Sequence, residues 1–471
     1  MKRFLRIFAD LGMVWPFVLL LQRVIEEVKP TTGVKNQDKP TLLALHPDYF
    51  RGDLQILADS GRFRVLRLPF KWQYRMLNLY WNEKIDFGLY FSHSNGGKED
   101  EVRRRLRDFL KAVLAPLFSR LKIDCVLSAC IWYKQDIEWG GVANEIGVPY
   151  VVLHRENLAA SRVLQERWEN ITKRRVLTPK FLGSHIIVHN EIMKRCFIRS
   201  GFVEDQGISA LGCLRMDPYV NRVKNGSRLN DGTKRVVLFS FVHGFAGKEG
   251  VTAFSASRDV GFVRLFDDVH GAIAELAAEN GDVEFFIKVK PEGDPTWLSE
   301  VEYAVKKRGI DPGKVPNLKI VYKEDAQELI LSSSVICGFG STSLLEAAIA
   351  GKPVVFPFFH EAQNPEYSDF VLFRDDLQVF DVARSTEEFK RRIMERVDRR
   401  EIEPECMRAR YALFEKYVSS MNGDSLEQYV STLQSVIRKG SEAREGRAPA
   451  KTGDPGRMEN EATERSAARA S

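Results

Sequence analysis

The stretch 334–356, Ser-Val-Ile-Cys-Gly-Phe-Gly-Ser-Thr-Ser-Leu-Leu-Glu-Ala-Ala-Ile-Ala-Gly-Lys-Pro-Val-Val-Phe, constrains the fold more than any other part of the chain. It reads as strand, glycine turn, helix, glycine stop and strand. Val335, Ile336 and Cys337 form a short apolar strand, and Gly338 and Gly340 permit a tight turn. Ser341 is the expected N-cap, with Leu344, Leu345, Ala348 and Ile349 on the buried side of the helix. Gly351 ends the helix and Pro353 leads into the next strand. A glycine-flanked helix start after a strand presents free N–H groups and a partial positive charge, which suits a phosphate. Gly340, Ser341, Thr342 and Ser343 are therefore candidate phosphate contacts, and Glu346, one turn on from Thr342, a candidate partner for a ribose hydroxyl. The same pattern also serves an ordinary strand–helix–strand unit with no ligand.

A chain of 471 residues accommodates two α/β domains, and 44% hydrophobic residues supply their cores. The net charge of +6 favours acidic ligands or an anionic membrane face and is too small to argue for nucleic acid. Six scattered cysteines without Cys-x-x-Cys pairing read as buried cytosolic thiols.

Residues 1–30 carry Lys2, Arg3 and Arg6 ahead of an apolar run at 11–21 that Pro16 interrupts. The run is too short to span a bilayer and is followed by no cleavage site. It is expected to lie in the membrane interface, anchored by Trp15 and the basic residues, or to pack on the protein. From 41 to 220 strands alternate with helices as in a doubly wound parallel sheet, and the alternation restarts over 235–400. The polar break at 221–234 is the expected boundary. Helices are expected over 401–438, the last packing back across the first domain. Residues 440–471 contain no Val, Ile, Leu, Phe, Tyr or Trp and are expected to be disordered.

Two doubly wound domains place ligands at the carboxyl ends of their strands, which makes the cleft between them the expected site. In the second half, His243 and Gly244 follow one strand and Lys288 and Lys290 end another, adding cations and backbone contacts to the 340–343 turn. In the first half, His154 and Glu156 follow a strand and are candidate proton acceptors; His154 also reads as a core histidine. Asp136, a third catalytic candidate, lies in an aromatic segment with Trp132, Tyr133 and Trp139 that either stacks on a sugar or caps the core. No Asp-x-Asp triplet, Walker loop, His-Glu-x-x-His or Gly-x-Ser-x-Gly occurs, so neither a metal nor a cofactor is expected.

The segments 340–347 with Gly351-Lys352-Pro353, Leu211-Gly212-Cys213-Leu214-Arg215-Met216-Asp217, and 185–208 together resemble the GT-B glycosyltransferase-like superfamily. Within it the chain resembles capsule and surface polysaccharide biosynthesis proteins and CDP-glycerol glycerophosphotransferases, and more distantly UDP-N-acetylglucosamine 2-epimerases. The resemblance implies an α/β fold of two Rossmann-like domains facing a cleft, an acceptor domain at 41–220 and a nucleotide donor domain at 235–400. It implies metal-independent transfer of a sugar or polyol phosphate from a nucleotide-activated donor to a glycan or lipid-linked acceptor, in the cytoplasm or at the inner membrane face. The alternatives are a nucleotide-sugar epimerase or hydrolase, or a non-catalytic scaffold of a polysaccharide assembly complex. Two departures stand out. Glycerophosphotransferases show Lys-x-His-Pro where this chain has Lys288-Val289-Lys290-Pro291, and only the His and Glu of the epimerase His-x-Glu-Ala-Gly motif persist at His154 and Glu156.

Overall fold

The computed structural model describes residues 2–81, 98–155, 157–174, 180–226, 232–246, 251–254, 258–290 and 295–445. The first domain is built on β1 (Glu26–Glu27), β2 (Thr41–Leu45), β3 (Arg64–Leu68), β4 (Ile123–Ser128), β5 (Tyr150–Leu153), β6 (His185–Val188) and β7 (Ile208–Ala210). They form one sheet in the order β1-β3-β2-β4-β5-β6-β7. All neighbours run parallel except the short edge pair β1 and β3. Every residue of β2, β5 and β6 is buried, as continuous apolar runs in a sheet covered by helices on both faces should be.

The second domain contains β8 (Arg235–Phe239), β11 (Glu284–Lys288), β12 (Leu318–Val321), β13 (Val335–Gly338), β14 (Val354–Pro357) and β15 (Asp381–Ala383), with a small hairpin of β9 (Gly244–Ala246) and β10 (Val251–Ala253) beside them. The six-stranded sheet has the order β12-β11-β8-β13-β14-β15 and is parallel throughout. Both domains are thus Rossmann-like. In each sheet the winding reverses at one place: between β2 and β4 in the first, and between β8 and β13 in the second. Loops leaving the carboxyl ends of strands at such a reversal diverge and open a crevice. The two crevices face one another.

The handover between domains comes earlier than the polar stretch 221–234 predicts. Tyr219 and Val220, in the helix Asp217–Lys224, belong to the core of the second domain, and the Tyr219 hydroxyl donates to the Glu346 carbonyl at 2.9 Å. The chain then returns. Helix Pro404–Tyr417 is fixed to the second domain by buried Arg410, which donates to the carbonyls of Val379 (2.9 Å) and Lys352 (2.8 Å). Helix Ser425–Glu445 crosses to the first domain, where Tyr429, Val430, Leu433 and Ile437 pack with Leu42, Cys125 and Val151. This agrees with the expected return across the first domain. The helix runs five residues past 440, and the remainder of the expected tail, 446–471, lies outside the described residues.

At the other end, helices Lys2–Asp10 and Trp15–Val24 lie on the first domain, with Phe17, Val18 and Leu21 buried against its core. Among the described residues no helix is long and apolar enough to cross a membrane.

Candidate functional site

The turn after β13 shows how local sequence shapes the site. A side chain at Gly338 would place its Cβ 3.0 Å from the Leu344 side chain and 3.1 Å from the Phe239 carbonyl, so glycine lets the helix lie close over β8. Gly340 has φ of +69°, and a Cβ there would meet nothing nearer than Leu372 at 3.5 Å; its requirement is conformational. The helix starts at Ser343, and the Ser341 hydroxyl accepts from the Ser343 N–H at 3.2 Å. Gly340, Ser341 and Thr342 line a cleft of about 450 Å³ between the domains.

The wall of that cleft is strongly one-signed. From the first domain come Arg51, Arg155, Arg167 and Arg215, and from the second comes Lys290. No carboxylate occurs among the described lining residues. Four of the five lie against a ring or a carboxylate. Arg155 lies over the Tyr49 ring at 4.3 Å, Arg167 over Trp132 at 5.9 Å, and Lys290 over Trp297 at 5.8 Å. Arg215 faces Asp53 at 3.9 Å, and burial pushes the Asp53 carboxyl up to about 6 against the pull of that guanidinium. Trp132 stacks on Trp168 at 4.7 Å, and both rings line the cleft. His189, just past β6, lines it too. Burial, and then the positive charge of Arg215, hold this imidazole well below the usual histidine range, so it is neutral at pH 7.

Of the residues singled out from sequence, the structure brings Gly340, Ser341, Thr342 and Lys290 together at the cleft. Ser343 stands one step behind, as the first residue of the helix. The others lie elsewhere. Lys288 is buried and its Nζ donates to the carbonyls of Val289 (2.8 Å) and Tyr322 (2.9 Å), a structural use of the charge. His243 is buried, with Nε2 on Glu300 at 3.1 Å, and Arg258 joins Glu300 to Asp267; neither His243 nor Gly244 lines the cleft. Glu346 is buried behind the turn, where its Oε2 accepts from Gln327 at 3.2 Å and burial pushes its carboxyl up to about 7.

In the first domain His154 is a core residue, edge-on to Trp168 at 4.9 Å and packed on Phe197. Asp136 is also fully buried; it accepts from Ser128 Oγ (2.7 Å) and Gln73 Nε2 (3.2 Å). Glu156 lies outside the described residues. Cleft residues to which the sequence assigns no site role are Arg51, Arg155, Arg167, Arg215, His189 and Trp168. Arg167 and Trp168 sit on helix Arg162–Arg174, whose amphipathic pattern was available to be read. Among the described residues no group of three His, Cys, Asp or Glu is arranged to hold a metal.

No protein-family model matches the chain, and no curated protein matches it by sequence. Solved structures similar to it include a UDP-GlcNAc 2-epimerase from Neisseria meningitidis, with 14% identity, TM-score 0.46, and 84% of this chain and 100% of that one covered. A UDP-N-acetylglucosamine 2-epimerase from Listeria monocytogenes gives 12%, 0.48, 85% and 97%. An α,α-trehalose 6-phosphate synthase from Burkholderia multivorans gives 10%, 0.44, 85% and 99%. At such identities and scores these likenesses say nothing about activity. The fold is two Rossmann-like domains facing a cleft. Its cleft wall is cationic.

Asp136 supplies a measurable consequence of its burial. Burial pushes its carboxyl up to about 7, against 3.8 in the unfolded chain, despite the Ser128 hydrogen bond. The folded protein therefore keeps a proton here that the unfolded chain has lost, and this group's contribution to stability falls as pH rises from about 4 to 7. Asp136→Asn should flatten that fall and stabilise the protein at pH 8 by about 1–4 kcal/mol, as read from urea unfolding at several pH values. An unchanged pH profile in the variant would remove the buried-proton account.

Proposed function

We propose that this cleft binds a nucleotide-activated donor, a nucleotide sugar or nucleotide polyol, and that the chain is a metal-independent GT-B-like transferase. Its acceptor would be a glycan or lipid-linked chain in surface polysaccharide biosynthesis. One observation carries the reading: five cationic side chains and no carboxylate among the described lining residues of a cleft between two switch-point crevices. A diphosphate brings the negative charge such a wall needs, and its departure as a leaving group is stabilised by the same cations. The Gly340–Thr342 turn faces the same space. Paired rings at Trp132 and Trp168 offer a stacking surface for a sugar or a base.

Transfer to a hydroxyl requires a group that takes its proton. With His154 in the core, the candidate becomes His189, a neutral imidazole on the cleft wall. Epimerisation or hydrolysis would act on the donor without an acceptor, so turnover of donor alone separates these readings from transfer. A non-catalytic scaffold would bind no nucleotide.

The test is a thermal-shift and calorimetric titration of the full chain with UDP, GDP, CDP, ADP and their sugar or glycerol conjugates. At least one should stabilise the wild type. Arg167→Ala and Lys290→Ala should each weaken that ligand about 10- to 100-fold, the range expected for a lost charge-assisted hydrogen bond. Absence of binding by every nucleotide would leave the scaffold reading in its place.

A membrane-surface location for this activity is supported by the amino-terminal helices. Five of the ten exposed large hydrophobic side chains of the described structure, Ile7, Leu11, Met13, Trp15 and Leu19, fall within one short segment. Residues 2–24 carry Lys2, Arg3, Arg6 and Arg23 against a single acidic residue, Asp10. An apolar ridge with basic flanks matches an anionic bilayer surface, and we assign it peripheral contact with the inner face of the cell membrane. In co-sedimentation, vesicles of phosphatidylglycerol and phosphatidylcholine should retain the protein better than phosphatidylcholine alone. Leu11→Glu with Trp15→Glu should lower retention at least about 10-fold. Equal retention by both vesicle types, or none by either, would contradict the assignment.

A further inference from the structure

Ser240 follows β8 at the second-domain switch point and lines the cleft together with Trp297 and Lys290. Its hydroxyl belongs to a chain of hydrogen bonds whose directions can be assigned completely. His270 is buried in helix Val263–Glu279, with Nδ1 2.7 Å from the Phe266 carbonyl. A carbonyl only accepts, so Nδ1 carries the proton. Burial pushes this imidazole down to about 4, so it is neutral at pH 7 and Nε2 is an acceptor. Nε2 lies 2.8 Å from Ser240 Oγ, which must therefore donate to it. The indole N–H of Trp297 can only donate, and it donates to Ser240 Oγ at 2.8 Å.

A hydroxyl has one proton and two acceptor positions. Here the proton is committed to His270 and one acceptor position to Trp297, both through rigid ring atoms. What remains is one acceptor position on Ser240, a half-buried residue of the cleft wall. The surrounding wall is rich in donors: the Lys290 ammonium, the arginine guanidinium groups and the main chain at 340–342. Those groups recognise charge. An oxygen that can only accept recognises a hydrogen atom on the ligand.

We propose that Ser240 is a specificity-determining residue of the cleft, an acceptor-only contact that selects anionic ligands carrying a hydroxyl or amide hydrogen beside the phosphate. Trp297 and His270 are its positioning residues. This rests on the nucleotide-donor reading and narrows it: a bare diphosphate satisfies the cations but leaves Ser240 without its ligand partner. A ribose or sugar hydroxyl satisfies both.

The experiment compares two kinds of probe on the full chain by calorimetry. One is inorganic pyrophosphate, which presents charge with no organic hydroxyl. The other is whichever of UDP, GDP, CDP and ADP binds the wild type. Ser240→Ala should weaken the nucleotide at least about 10-fold and leave pyrophosphate within about twofold, so that the ratio of the two affinities moves. Lys290→Ala should weaken both. Ser240→Thr, which keeps the oxygen, should restore nucleotide affinity to within about threefold and separates lost recognition from a disturbed fold. Equal losses for both probes in Ser240→Ala, or equal losses in the Ala and Thr variants, would reduce Ser240 to a structural role and overturn the proposal. Nucleotide affinity unchanged in Ser240→Ala would overturn it while leaving the nucleotide-donor reading intact. Failure of all four nucleotides to bind the wild type would overturn that reading, and this inference with it.

Discussion

Like charges gathered on one wall repel, and the cleft of this protein is organised around holding them there. Arg51, Arg155, Arg167, Arg215 and Lys290 share it with no described carboxylate on the lining. Aromatic rings lie against three of these cations, with Tyr49 under Arg155, Trp132 under Arg167 and Trp297 under Lys290. A ring quadrupole attracts a cation without neutralising it. Arg215 faces a carboxylate, Asp53, which sits deep enough for burial to raise it to about 6. A wall of this kind favours a polyanion over a single carboxylate.

The domains supply the geometry. In each sheet the winding reverses once, between β2 and β4 and between β8 and β13, and the loops leaving those strands carry Arg51, Trp132, Ser240 and the 340–342 turn. Two chain crossings tie the halves together: the handover before helix Asp217–Lys224 and the return between helices Pro404–Tyr417 and Ser425–Glu445. At the second crossing the Ser419 hydroxyl accepts from the Cys213 N–H at 3.0 Å, and the Tyr429 hydroxyl donates to the Gly212 carbonyl at 3.0 Å. The crossings lie against each other, beside the cleft residues Cys213, Arg215, Tyr417 and Val418.

Much of this architecture was legible in the sequence because apolar runs and glycine punctuation report burial and turns directly. The parallel strands, the 340–342 turn and the returning helix follow from such patterns. The short edge pieces β1 and β15 and the β9–β10 hairpin do not, since two or three residues carry no periodicity. Side-chain direction is not written in such patterns. His154 and His189 both follow fully buried strands, β5 and β6, and nothing in such a strand says which of the two turns inward. Lys288 and Lys290 stand two residues apart, yet one ammonium satisfies two carbonyls while the other reaches the cleft. The arginines were invisible as a group because Arg51, Arg155, Arg167 and Arg215 come from four separate segments, and only the folded topology collects them.

One anionic ligand is expected to engage both domains at once. Hydrogen-exchange mass spectrometry of the full chain, with and without each of UDP, GDP, CDP and ADP, reads this directly. The account predicts that the nucleotide which binds slows exchange both around 339–345 in the second domain and along helix Arg162–Arg174 in the first. Slowing confined to one of these segments, or absent from both, would contradict it.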